Sequence, residues 1–177
     1  LAATTSLSGY VLSNGVNDIW NDYYSTLQNM NLIQDKINAV TDKESMNNIQ
    51  AILYTLRAYK TFRVTDQFGD IPYFTGGKAY TGSVADFRVA YDPQQLIYDS
   101  LLSDLTWAVK NININNSATT ASGNPYVSLG SFDTFFGGDM NKWLKFANSL
   151  SLRYGMQMVE KDTATATHFI KDALSGH

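Results

Sequence analysis

Apolar residues recur at intervals of three and four along most of this chain, which is the period of an amphipathic α-helix. The clearest stripe predicts one long helix from Ile19 to about Val40. A second stripe predicts a helix from Met46 to about Asp66, and the short connection makes the two helices antiparallel neighbours. The first stripe consists of Trp20, Tyr23, Tyr24, Leu27, Met30, Ile33 and Ile37.

A third helix is predicted from its start signal. Asp92 offers a side-chain acceptor at the N-cap, Pro93 fixes φ at the first helical position, and Gln95 completes a capping box. The apolar face of this helix continues to Ile112. We therefore expect Asp92 to cap its own helix.

Two further stripes predict helices at 141–159 and 165–174, whereas residues 1–16 show no sustained period and are interpreted as an irregular lead-in. Together the stripes predict an all-α fold in one domain that spans residues 1–177. The helix pairs are linked alternately by short turns and by two long irregular loops.

The two long loops cover residues 67–92 and 113–140; the first contains four glycines and Pro72, and the second is rich in asparagine, serine, threonine and glycine. Loops of this length are usually functional or disordered. We expect a short extended piece at Phe87 to Val89, and we interpret the Gly76-Gly77 and Gly137-Gly138 pairs as turn formers.

Composition excludes several classes of function. The net charge is -3 and no run of like charge is long enough to form a nucleic-acid or anionic-membrane surface. The chain has no cysteine and only two histidines, His168 and His177, so it has almost no material for a thiolate or histidine metal site or for a catalytic triad. We predict no cofactor, no metal and no nucleic-acid partner.

Two pairs of aspartates could supply the acid and the base of a glycosidase, although their sequence spacing does not give the spatial separation that this chemistry needs. Asp18 and Asp22 stand one helical turn apart, and Asp66 and Asp70 flank a short turn. They leave a glycoside hydrolase open as a hypothesis. The structural interpretation is favoured, because carboxylates are also common in first helical turns, at helix ends and in turns.

Aromatic residues make up 13% of the chain, and nine of the rings in the two loops are candidates for ligand contact. A ring presented from a loop can stack on the apolar face of a sugar while nearby polar groups bond its hydroxyls. The same rings could instead pin the loops to the helices. They are Phe68, Tyr73, Phe74, Tyr80 and Phe87 in the first loop and Tyr126, Phe132, Phe135 and Phe136 in the second.

Several strings occur in a fixed order between residue 19 and about residue 160. They are Trp20 with Tyr23-Tyr24, the segment 51–59 leading into Thr65 to Tyr73 (TDQFGDIPY), Tyr91 to Gln94 with Ile97-Tyr98, and Gly137 to Arg153 (GGDMNKWLKFANSLSLR). Together they resemble the SusD/RagB family of Bacteroidetes outer-membrane lipoproteins, especially its SusD-like subgroup. The second and the last of these strings are the most specific evidence for the resemblance.

The resemblance implies a fold of tetratricopeptide-like helix pairs, an α/α solenoid-like arrangement. It also implies a surface-exposed lipoprotein of the outer membrane that binds a nutrient, a glycan or in some members a peptide. Such proteins work as lids on a SusC-like TonB-dependent transporter and are not enzymes. The chain lacks the lipidated cysteine and is shorter than a whole member, so we expect an N-terminal part of a longer protein whose lipid anchor lies outside this sequence.

We predict that the ligand contacts Phe74, Tyr80, Asp86 and Arg88, because the segment from Thr75 to Val89 has no apolar period that would tie it into the core. The segments 66–73 and 137–143 are expected to be structural. The alternative function is a tetratricopeptide-like scaffold that binds other proteins.

Overall fold

The computed structural model describes residues 3–115 and 117–175, and this part of the chain contains five α-helices and no β-strand. The predicted all-α fold is therefore confirmed. Most of the predicted helix ends lie within three residues of the observed ones, the start of the first helix excepted. The helices are α1 (Ala3–Ala39), α2 (Asn47–Phe68), α3 (Gln94–Asn111), α4 (Met140–Met158) and α5 (Thr163–Ser175).

Each helix packs against the next one in the chain, and α2 also packs against α4. The core between them is aromatic. The rings of Phe62 on α2 and Tyr154 on α4 stack with their centroids 3.7 Å apart, and both residues are buried. On the other side of α2, the hydroxyls of Tyr23 and Thr61 are 3.2 Å apart, which joins α1 to the same core.

The first helix begins far earlier than predicted. It starts at Ala3, so the interpretation of residues 1–16 as an irregular lead-in is wrong for residues 3–16, and residues 1 and 2 lie outside the described part. Gly9 and Gly15 each cost roughly 1 kcal/mol relative to alanine in a helix interior, but glycine accepts helical dihedral angles and no proline interrupts the segment.

The start of α3 also differs from the prediction. Its N-cap position is Pro93, and the backbone N–H of Gln94 donates to the Asp70 carboxylate at 2.9 Å. Asp92 instead accepts the backbone N–H groups of Tyr73 (2.7 Å) and Phe74 (2.9 Å). Asp92 therefore does not cap α3, because its carboxylate is engaged by the start of the first loop while Asp70 performs the capping.

The first loop folds as two short 3₁₀ helices, Ala79–Thr81 and Val84–Phe87. The expected extended piece at residues 87–89 is wrong, because Arg88 N–H donates back to the Ala85 carbonyl at 3.1 Å and closes a local turn. The loop ends are held by a bridge between Ile71 and Asp92.

The second loop is organised by one buried carboxylate. Asp133 is 5% exposed and accepts the indole N–H of Trp143 at 2.7 Å. It also accepts the backbone N–H groups of Phe135, Phe136 and Gly138. These hydrogen bonds hold the pKa of Asp133 below its ordinary value against the opposing effect of burial. Asp133 thus fixes the approach to α4, which Asp139 caps through the N–H groups of Asn141 and Lys142.

Candidate functional site

A polar cleft of about 320 Å³ opens between α1, α2, α3 and the first loop. Its lining combines aromatic rings with amide, hydroxyl, carboxylate and cationic groups. The lining residues are Leu27, Asn31, Gln34, Asp35 and Asn38 of α1, Tyr54 and Arg57 of α2, Tyr73, Phe74, Lys78 and Tyr80 of the loop, and Ser100 and Asp104 of α3.

The loop forms one wall of the cleft because it lies directly against α1. Tyr24 donates its hydroxyl to the Pro72 carbonyl at 3.0 Å, and the Asn31 amide donates to the Gly76 carbonyl at 3.0 Å. The next residue, Gly77, has φ +68°, and a Cβ there would lie 3.1 Å from the backbone nitrogen of Gln28. The glycine pair is thus required for close approach to the helix as well as for turning.

Two loop rings face the cleft in different ways. Phe74 is 42% exposed and packs edge-on against the buried ring of Tyr73, with centroids 5.0 Å apart. Tyr80 donates its hydroxyl to the Asp35 carboxylate at 2.7 Å, and this hydrogen bond raises the pKa of Tyr80. The cleft therefore has a stacking surface beside a fixed hydroxyl–carboxylate pair.

A charged pair lies deeper in the cleft. The Nε and Nη2 atoms of Arg57 are buried and make no hydrogen bond with the described residues. Asp104 lines the same cleft, and burial raises the pKa of its carboxyl to about 6, against the opposing effect of the Arg57 guanidinium. No contact of 4 Å or less joins the two groups in the described part of the chain.

The structure brings two of the four predicted ligand residues to this cleft. Phe74 and Tyr80 line it, whereas Asp86 and Arg88 do not. Asp86 accepts the hydroxyl of Thr81, and Arg88 is exposed at the end of the second 3₁₀ helix. Ligand contact by all four residues stays a prediction.

Sequence reasoning missed the helical side of the cleft. Arg57 and Asp104 belong to no recognisable motif. Asn31, Gln34, Asp35 and Asn38 do carry a signal, because polar residues at steps of three and four mark one face of α1. That polar stripe runs beside the apolar one and could have been noticed.

Three of the four aspartates in the two pairs have structural partners. Asp22 pairs with Lys60 at 2.9 Å, Asp66 accepts the Tyr98 hydroxyl, and Asp70 caps α3. These contacts agree with the structural interpretation of the segment from residue 66 to residue 73.

Asp66 also lines a larger cavity of about 650 Å³ near the C-terminal end of α4. The only aromatic ring in its lining belongs to Tyr98, which is 8% exposed. Because that ring offers almost no face to a ligand, the smaller cleft is the better candidate site for a sugar.

Across residues 3–115 and 117–175, no helix is both long enough and apolar enough to cross a bilayer. In the same part of the structure, no group of three or more histidine, cysteine or carboxylate side chains has a geometry that could hold a metal ion.

Residues 2–177 match the model of the SusD-like family, which is described as starch-binding and associating with the outer membrane. The chain belongs to the SusD-like family. No curated protein matches it at a significant level.

Solved structures of SusD-like proteins share the fold. A chitin-binding protein is 29% identical and superposes with a TM-score of 0.70 over 91% of this chain and 31% of its own. A SusD-like protein of Bacteroidetes AC2a is 28% identical, with a TM-score of 0.68 over 91% of this chain and 27% of its own. A chitin-binding SusD homologue from Flavobacterium johnsoniae is 26% identical, with a TM-score of 0.66 over 88% and 30%. The chain thus spans about a third of the length of these SusD-like structures.

Proposed function

We propose that this chain is part of a surface-exposed lipoprotein of the outer membrane that captures an oligosaccharide without catalysis. The captured sugar is delivered to a SusC-like TonB-dependent transporter. The family description and the two chitin-binding neighbours support a glycan as the ligand. The observation that carries the proposal is the cleft, where the exposed ring of Phe74 lies beside hydrogen-bonding groups from three helices.

The chemistry of the cleft suits a sugar. One face of a pyranose ring is apolar and stacks on an aromatic ring, while its hydroxyls both donate and accept hydrogen bonds. Asn31, Gln34 and Asn38 offer amides, and Lys78 offers a donor. One stacked ring with one or two hydrogen bonds contributes roughly 1 to 3 kcal/mol, which gives the weak binding suited to capture and release.

Binding without catalysis is supported by the engagement of the carboxylates. A glycosidase needs two free carboxyl groups that flank the scissile bond. Of the two carboxylates that line the cleft, Asp35 is bonded to Tyr80, which leaves only Asp104 without a partner among the described residues. Asp22, Asp66 and Asp70 are occupied by the structural contacts described above.

Calorimetry tests the proposal with malto-oligosaccharides and chito-oligosaccharides as probes. We expect binding to at least one of them without release of reducing sugar, and a loss of about tenfold in Phe74→Ala. The matched control is Phe132→Ala, because Phe132 is an 87% exposed ring in the second loop and does not line the cleft.

Four results would contradict the proposal. Binding to peptides alone would replace the glycan as ligand, and binding to proteins alone would favour the scaffold alternative. Release of reducing sugar that disappears in Asp66→Asn would establish a hydrolase. An equal loss of affinity in Phe74→Ala and Phe132→Ala would move the site away from the cleft.

A further inference from the structure

The two unpartnered nitrogens of Arg57 form one recognition element. Nε–H and one N–H of Nη2 lie on the same side of the planar guanidinium and point in the same direction, which makes them a two-donor fork. Both atoms are buried and lack a hydrogen-bond partner among the described residues. Buried donors without partners are uncommon, because burial removes their hydrogen bonds to water and no protein acceptor replaces them. The fork is therefore a place where a ligand acceptor would be favoured.

The groups around the fork restrict what that acceptor can be. Asp104 presents an acceptor on the neighbouring helix, and the lining as a whole carries two cationic residues, Arg57 and Lys78, and two acidic ones, Asp35 and Asp104. A carboxylate ligand would suit the fork but would place a second negative charge near Asp104. A ligand ammonium would suit Asp104 but would be repelled by Arg57. A neutral group with both an acceptor and a donor avoids both penalties.

We propose that Arg57 and Asp104 recognise the acetamido group of an N-acetylated sugar. The carbonyl oxygen accepts from the Arg57 fork, and the amide N–H donates to the Asp104 carboxylate. The methyl group packs on the Tyr54 ring, whose centroid is 6.0 Å from the guanidinium carbon of Arg57. This inference rests on the proposed glycan-binding function and specifies which sugars the cleft prefers.

Access to the fork requires one local movement. The two nitrogens are sealed from water in the unliganded cleft, whereas the Arg57 side chain is half-buried and lines it. The proposal therefore requires the long Arg57 side chain to rotate, so that the fork turns toward the ligand. The acetamido group then supplies the hydrogen bonds that the closed position lacks.

The test compares three β-1,4-linked hexasaccharides that differ only at carbon 2. Chitohexaose carries the acetamido group, cellohexaose carries a hydroxyl, and the glucosamine hexamer carries an ammonium. We expect calorimetry to show chitohexaose binding at least about tenfold more tightly than either of the others. Arg57→Lys keeps the charge but removes the fork, and Asp104→Leu removes the acceptor at similar volume, so each should reduce that preference to about threefold or less.

The matched control is Arg153→Lys, an exposed arginine on α4 that lies over the Tyr154 ring and not in the cleft. Circular dichroism verifies that each variant is folded, and the preference of the unmodified chain is measurable even if a variant fails to fold. Equal binding of chitohexaose and cellohexaose would overturn the inference and leave glycan capture intact. Tighter binding of the glucosamine hexamer or of an oligogalacturonate would also overturn it, because the pair would then recognise charge. Binding of none of these sugars, nor of malto-oligosaccharides, would overturn the proposed function itself.

Discussion

Replacing Asp104 by asparagine should stabilise the protein, and the gain should depend on pH. Burial raises the pKa of this carboxyl from 3.8 to about 6. The folded state therefore holds the proton more tightly than the unfolded chain does, so the ionised form is disfavoured in the fold. The protonated Asp104 carboxyl contributes fully to the free energy of unfolding below pH 3.8. This contribution is lost as the pH rises through about 6. Asparagine is neutral at every pH and does not incur this loss.

The magnitude follows from the size of the shift. One pKa unit corresponds to about 1.4 kcal/mol, so a shift of about two units makes ionised Asp104 cost about 3 kcal/mol at about pH 8. At about pH 4.5 the same linkage leaves a cost of only about 1 kcal/mol, because the carboxyl is then still protonated in the folded protein. The free energy of unfolding of Asp104→Asn should exceed that of the unmodified chain by these amounts.

Urea denaturation followed by tryptophan fluorescence measures the difference at both pH values. The matched control is Asp22→Asn, since Asp22 is an exposed carboxylate paired with Lys60 and should give a small difference. A stabilisation by Asp104→Asn that is the same at both pH values, or a destabilisation at the higher one, would refute the reasoning. Either result would mean that Asp104 is solvated or closely paired with Arg57.

Three other substitutions test the walls of the cleft and the loop that forms one of them. Tyr80→Ala should weaken oligosaccharide binding about tenfold, a loss near 1.4 kcal/mol, without moving the melting temperature; lost stability at unchanged affinity would assign Tyr80 to the scaffold. Gly76→Ala should destabilise the chain by about 1 to 3 kcal/mol in thermal denaturation, because its Cβ would lie 2.2 Å from the Pro72 carbonyl oxygen. The comparison variant is Gly82→Ala, whose Cβ would meet open space but at φ +77°, so it measures backbone strain of about 1 kcal/mol without a steric clash. Equal melting temperatures for the two variants would contradict the close approach at Gly76. Asp70→Ala should cost about 1 kcal/mol in urea denaturation through the lost cap of α3, whereas Asp92→Ala should leave the helix content of α3 unchanged by circular dichroism.

The helices could be predicted because the residues that specify each helix lie close together in the sequence. Stripes such as the one from Trp20 to Ile37 report which residues face the core, and the observed burial of Tyr23, Leu27 and Ile37 agrees with it. The exception is the start of α1. There the apolar pattern is weak, and a helix that lacks a clear stripe cannot be recognised by periodicity.

The cleft could be predicted only in part, for a different physical reason. Phe74 and Tyr80 stood out as rings in a loop, and both line it. Arg57 and Asp104 line the same cleft only because α2 and α3 pack side by side, so neither residue is distinguishable in its own helix. The exchange of roles between Asp70 and Asp92 was missed for the same reason, since it joins positions 24 and 18 residues apart.

That exchange has a consequence for how such a protein can diversify. Hydrogen bonds fasten the two ends of the first loop to each other. Asp70 accepts the backbone N–H of Gln94, and Asp92 accepts those of Tyr73 and Phe74. The bridge between Ile71 and Asp92 adds to this connection. The segment 81–90, which follows the contacts of Gly76, Gly77 and Tyr80 with α1, is therefore an insertion whose entry and exit are already set by the helices. Doubling the length of a flexible loop adds only about 0.6 kcal/mol of closure entropy. The same set of helices can then support many different sequences in this loop segment. Grafting the segment from one SusD-like protein onto another is a practical route to changing what the protein binds.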